Sequence, residues 1–83
     1  MIGVTEVIER IFAVSVEEVR SAGFAEGAAD RVRYAEVGRT LTREGVRRRA
    51  ESFANALGAY GEEPELTEKR AAYIAAFHAG WAA

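Results

Sequence analysis

The sequence predicts an all-α fold, a compact single-domain bundle of four to five short helices that takes in residues 1–83. Apolar residues recur at helical spacing along nearly the whole chain, and no convincing run alternates with the two-residue period of a β-strand. A chain of 83 residues has the length of one domain, and a hydrophobic content of 49% is typical of globular proteins. Because so short a chain buries little surface, its core must be compact and well patterned.

Two helices are expected in the first part of the chain. An apolar stripe with the spacing i, i+3, i+4, i+7 predicts the first helix over about residues 4–13. The stripe consists of Val4, Val7, Ile8, Ile11 and Phe12. Ser15 is followed three residues later by Glu18, which is the pattern of a capping box and predicts the start of a second helix. Gly23 suits a left-handed C-cap, so this second helix should be short.

The third helix is expected from Asp30 onward. Tyr34 and Leu41 share one of its faces, whereas Val32 lies roughly opposite. A helix that is apolar on two sides is typically sandwiched, either within the fold or between the fold and a partner. The sequence Thr-Leu-Thr at residues 40–42 predicts the break that follows, because threonine is a good cap and a poor residue in a helix interior.

The fourth and fifth helices complete the predicted bundle. The fourth covers about residues 43–59 and carries a single apolar stripe. Its stripe consists of Val46, Ala50, Phe53 and Leu57. After an acidic turn at Pro64, the fifth helix begins near Leu66 and runs almost to Ala83. Trp81 shares a face with Tyr73 and Phe77, so it is expected in the core, and an exposed interface anchor is the alternative.

Charge is strongly polarised along the chain. Between residues 31 and 49, seven arginines oppose two glutamates and leave a net charge of +5, although the whole chain carries −2. A patch of one sign usually faces a partner of the opposite sign. The predicted partner-binding residues are six of these arginines and two neighbouring tyrosines. They are Arg31, Arg33, Arg39, Arg43, Arg47, Arg48, Tyr34 and Tyr60.

We therefore expect a small non-enzymatic protein-binding module that docks an anionic partner surface through this arginine-rich helical face. An adaptor or an inhibitor, including the short accessory proteins of phages and mobile elements, fits this description. The same face suits phosphates, so a DNA-binding regulator that uses the helix at about residues 43–59 is the first alternative. A structural homo-oligomer, such as a homodimer, is the second.

Two segments match the helix-turn-helix pattern. Residues 5–24 fit its apolar positions, but the acidic pair Glu17 and Glu18 on the second helix would repel phosphates. Residues 34–49 read Tyr-Ala-Glu-Val-Gly-Arg-Thr-Leu followed by Thr-Arg-Glu-Gly-Val-Arg-Arg-Arg. This segment resembles the C-terminal DNA-binding region of bacterial sigma factors, where a Glu-Ile/Val-Gly helix precedes a Thr-Arg-Glu-x-Val-Arg recognition helix. The resemblance implies DNA binding by the second helix, and the turn is shorter here than in that family.

No pattern in the sequence predicts catalysis, a cofactor or a metal. The chain has no cysteine, and its one histidine, His78, has no carboxylate cluster nearby in the sequence. Nucleophile motifs and glycine-rich phosphate loops are absent from the sequence. With no basic start and no apolar run of about 20 residues, the sequence predicts a cytoplasmic protein that does not engage membranes.

Overall fold

A computed structural model of the chain describes residues 14–57 and 62–83. These residues form three helices and no strand: α1 (Val16–Glu36), α2 (Arg43–Ala56) and α3 (Pro64–Ala82). The predicted all-α class is therefore confirmed. The predicted first helix over residues 4–13 lies outside the described residues, and so does Tyr60.

Four helices were predicted for the described residues, and this number is wrong because the second and third form one continuous helix. Ser15 caps α1 as predicted, since its hydroxyl accepts a hydrogen bond from the N–H of Glu18 at 3.1 Å. The helix is 21 residues long and passes through Gly23, where the sequence predicts a C-cap. Gly23 serves close packing here, because a Cβ at this position would lie 2.6 Å from the carbonyl oxygen of Tyr73 on α3.

Glycines let α1 and α3 pack backbone against backbone. A Cβ at Gly27 would lie 2.1 Å from the carbonyl oxygen of Phe77, and one at Gly80 would lie 2.0 Å from that of Phe24. Only glycine permits such a close approach. Ser15 at the start of α1 lies beside Lys69 near the start of α3, and Arg31 near the end of α1 bonds to the carbonyl oxygen of Trp81 near the end of α3, so the two helices run parallel.

The connections between helices follow the predicted signals closely. After α1, Gly38 adopts the left-handed conformation with φ 70°. The hydroxyl of Thr42 then caps α2 by accepting a hydrogen bond from the N–H of Gly45 at 3.1 Å, so the predicted break at residues 40–42 is confirmed. α2 ends at Ala56, and α3 begins at Pro64, a residue favoured in the first turn of a helix.

The core lies where α3 contacts the other two helices. Seven apolar residues are buried in it: Val19, Val46, Ala50, Ala54, Leu66, Tyr73 and Phe77. Trp81 is half-buried against this core, and its ring centroid lies 5.8 Å from that of Tyr34. No helix within residues 14–57 and 62–83 combines the length and the apolar character that crossing a membrane requires.

Candidate functional site

The seven arginines of the basic segment fall into two groups in the structure. Arg31 and Arg49 bond to groups on another helix or at its end, and Arg33 bonds to two carboxylates on its own helix. The other four are exposed on α2 or just before it, namely Arg39, Arg43, Arg47 and Arg48. Fewer arginines are therefore without contacts inside the fold than the sequence indicates.

An ion cluster centred on a buried carboxylate links α1 to α2. The carboxylate of Asp30 is fully buried, and Arg49 donates to it from Nε to Oδ2 at 2.9 Å and from Nη2 to Oδ1 at 2.8 Å. Arg33 donates a further bond to Oδ1 at 3.2 Å. The guanidinium carbon of Arg49 lies 5.5 Å from the ring centroid of Tyr34 and 5.1 Å from that of Phe53, within cation–π range.

The charges in this cluster stabilise each other. The hydrogen bonds from Arg49 hold the pKa of Asp30 below its usual range despite the opposing effect of burial. The same hydrogen bonds raise the pKa of Arg49, so the pair is ionised at neutral pH. Since α1 and α2 otherwise pack mainly against α3, this ion cluster is the principal direct link between them.

Three predicted partner-binding residues are engaged within the fold. Arg31 donates hydrogen bonds to the carbonyl oxygens of Trp81, at 3.1 Å, and of Ala83, where a cation complements the end of α3. Arg33 binds Glu26 at 2.8 Å in addition to Asp30, and Tyr34 packs against the ring of Trp81. Contact of these residues with a partner stays a prediction.

A groove between α2 and α3 brings two of the four remaining arginines beside residues from another helix. Arg43 and Arg47 lie one turn apart on α2, and Ile74 and His78 lie one turn apart on α3, where they line the same groove. Glu44 also contributes to its α2 side. We call these five residues the α2–α3 groove.

One groove arginine is unpaired and the other is paired only weakly, so both can bind an anion. Within residues 14–57 and 62–83, Arg43 makes no hydrogen bond or ion pair. Arg47 pairs with Glu51 at 3.0 Å, and both side chains are exposed, at 62% and 37%. An exposed i,i+4 pair contributes only about 0.3–0.5 kcal/mol, so a partner's carboxylate can replace Glu51 at little cost.

Two other predicted residues lie outside the groove. Arg48 is 79% exposed and pairs with Glu44 at a long 3.7 Å, and its position on α2 faces solvent. Arg39 lies in the connection between α1 and α2, where it makes no ion pair with any described residue. The structure therefore brings together Arg43 and Arg47 but not Arg39 or Arg48.

Sequence reasoning missed two features of this region. Gly23, Gly27 and Asp30 follow one another at spacings of four and three residues, which places the Asp30 carboxylate on the packed face of α1, and that spacing was the available signal. His78 is not among the partner-binding residues that the sequence predicts. Its place beside Arg43 depends on how α2 crosses α3, which helical periodicity does not specify.

Comparisons of the chain with protein-family models, with curated proteins and with solved structures find no match. In the described part of the chain, no three His, Cys, Asp or Glu residues are grouped so that they could hold a metal ion. The α2–α3 groove is therefore the feature from which a function can be argued.

Proposed function

We propose that this protein is a small non-enzymatic binding module whose α2–α3 groove docks an acidic segment of a partner protein. The observation that carries the proposal is the convergence of Arg43 and Arg47 with Ile74 and His78 across two helices. Guanidinium groups form strong charge-assisted hydrogen bonds with carboxylates. The aliphatic side chain of Ile74 and the ring of His78 offer the apolar contact that a peptide side chain next to those carboxylates needs.

An acidic protein segment fits this groove better than nucleic acid does. Glu44 lines the groove, and Glu51 pairs with Arg47, so anionic groups are interspersed among the cations. Affinity for nucleic acid grows with the number of phosphates that a protein neutralises. A regularly spaced row of phosphates would meet Glu44, whereas a folded or extended acidic segment can place its few carboxylates beside the arginines alone.

Arg49 adds little to the outward-facing charge of α2, which also favours a protein partner over nucleic acid. The sigma-factor resemblance extends through Arg49, but this side chain is bonded to Asp30 and half-buried. The outward charge of α2 then comes from Arg43, Arg47 and Arg48 against Glu44 and Glu51, a net charge of +1. A field of this size steers and orients a protein partner but supports little phosphate binding.

Fluorescence anisotropy with two labelled probes tests the proposal. One probe is a peptide rich in Glu and Leu, and the other is a random-sequence DNA duplex. The test variant Arg43→Glu/Arg47→Glu reverses the charge of the groove. Its matched control, Arg20→Glu/Arg39→Glu, makes the same change in net charge at exposed arginines that neither line the groove nor pair with a groove residue.

We expect the peptide to bind and its affinity to fall roughly tenfold or more in the groove variant but much less in the control. Absence of peptide binding at low salt, or equal losses in both variants, would contradict the proposed site. Tight DNA binding that weakens steeply with salt would instead favour the DNA-binding regulator.

A further inference from the structure

His78 is the residue of the α2–α3 groove whose charge changes near neutral pH. The chain has one histidine and no cysteine. Histidine changes charge between about pH 5 and pH 8, whereas arginine stays protonated and glutamate stays largely ionised throughout this range. A change of pH within this range therefore alters the charge of the groove at a single side chain.

The imidazole ring of His78 is available to a partner. The residue is half-buried on α3 and lines the groove together with Ile74. Within residues 14–57 and 62–83, its ring makes no hydrogen bond or ion pair. Both ring nitrogens can therefore bond to a docked molecule, and no contact between described residues has to break first.

Three charged side chains line the groove together with His78, and all three belong to α2. Arg43 and Arg47 are cations and Glu44 is an anion, which leaves the groove with a net charge of +1. Glu51, the ion-pair partner of Arg47, lies one turn further along α2. Two cations and one anion therefore share the groove with the imidazole.

The other elements add no charge to this site. On α3 itself, the neighbouring residues 74–77 and 79–82 are all uncharged. Among the described residues, no charged group of α1 or of the connection between α1 and α2 contributes to the groove lining. Protonation of His78 therefore raises the net charge of the groove from +1 to +2, a large relative change at one site.

We propose that His78 makes docking in the α2–α3 groove depend on pH, because its protonated ring is a third cation that binds a carboxylate of the acidic partner segment. The inference rests on the proposed function and adds a means of regulating the same site. A protonated imidazole donates from both ring nitrogens, whereas the neutral ring donates from one. Hydrogen bonds between a charged donor and a carboxylate are about twice as strong as neutral ones. The partner should therefore bind more tightly at about pH 5.5 than at about pH 7.5.

The placement of His78 makes the added charge effective. It lies on the α3 side of the groove, and Arg43 and Arg47 lie on the α2 side. An acidic segment bound between the helices then meets cations on both sides at low pH and on one side at neutral pH. Since like charges oppose one another, a protonated ring near two arginines is stabilised when an anion binds. Protonation and docking therefore favour each other to the same extent.

Fluorescence anisotropy with the Glu- and Leu-rich peptide tests this inference at about pH 5.5 and about pH 7.5 and at constant ionic strength. The wild type should bind the peptide about three- to tenfold more tightly at the lower pH. The glutamates of the peptide lose a little charge there, which weakens the attraction and acts against the predicted gain. Far-UV circular dichroism verifies that the protein is folded at both pH values, as expected because the pKa of Asp30 is held below its usual range.

Two substitutions of His78 separate the effect of its charge from that of pH. His78→Gln is neutral at both pH values, so it should bind like the wild type at about pH 7.5 and lose the gain at about pH 5.5. His78→Lys is cationic at both pH values and should bind tightly at both. Ser52→Lys is the matched control, because it adds a cation at an exposed position of α2 outside the groove and should keep the pH response of the wild type.

The outcomes separate this inference from the proposed function. Peptide binding of equal affinity at both pH values, or a pH response that persists in His78→Gln, would overturn the role of His78 and leave the docking site in place. Absence of peptide binding to the wild type at both pH values would contradict the proposed function, and the role of His78 would fall with it.

Discussion

Replacing Asp30 with Asn should destabilise the fold more than any other isosteric change at a charged residue of the described chain. The carboxylate is 0% exposed and accepts two hydrogen bonds from Arg49 and one from Arg33. Breaking a buried ion pair by removing one partner costs about 3–5 kcal/mol. Since the side chains of Arg49 and Arg33 are 38% and 54% exposed and can rehydrate, we expect a smaller loss of about 2–3 kcal/mol.

Urea denaturation followed by far-UV circular dichroism measures this loss directly. In a domain of this size it corresponds to a Tm lower by roughly 10–20 °C. Glu44→Gln is the matched control, because the Glu44–Arg48 pair is 61% and 79% exposed and should contribute no more than about 0.5 kcal/mol. An Asp30→Asn variant within about 0.5 kcal/mol of the wild type would refute the role of the ion cluster as the link between α1 and α2.

Three further predictions concern packing and pH. Gly27→Ala should lower the free energy of unfolding by about 1–3 kcal/mol, because its Cβ would meet the backbone of Phe77. Gly45→Ala should be near neutral, and chemical denaturation compares the two variants. The pKa of Asp30 is lowered in the folded protein, so its charge contributes fully to the free energy of unfolding above about pH 4. This contribution is lost as the pH falls through the folded pKa. An acid titration of Asp30→Asn should not show the loss. Burial raises the pKa of Tyr73 to about 12. The neutral Tyr73 side chain therefore contributes fully to the free energy of unfolding below about pH 10, and this contribution is lost as the pH rises toward about 12. An alkaline titration of Tyr73→Phe should not show this loss.

Local signals in the sequence predicted the helices well where side chains act on their own backbone. Ser15 and Thr42 were identified as caps, and both accept the hydrogen bonds expected of them. The break at residues 40–42 follows from the same local chemistry. Gly23 misled the prediction because glycine serves two purposes, ending a helix and allowing close packing, and the choice between them depends on the neighbouring helix.

The candidate site was only partly predictable for a related reason. Charge clustering singled out the arginines, and Arg43 and Arg47 are among them. It did not distinguish Arg49, which α2 directs toward the buried Asp30, from Arg48, which faces solvent. That distinction requires the orientation of α2 on α3 and α1, which is a tertiary property.

Mapping a bound peptide by NMR tests the central claim most directly. We would titrate the isotopically labelled protein with the Glu- and Leu-rich peptide and follow the backbone amide resonances. The account predicts saturable shifts concentrated at Arg43, Arg47, Ile74 and His78, with the outer face of α1 unaffected. Shifts centred on α1, or spread without a centre over all exposed arginines, would contradict a binding site in the α2–α3 groove.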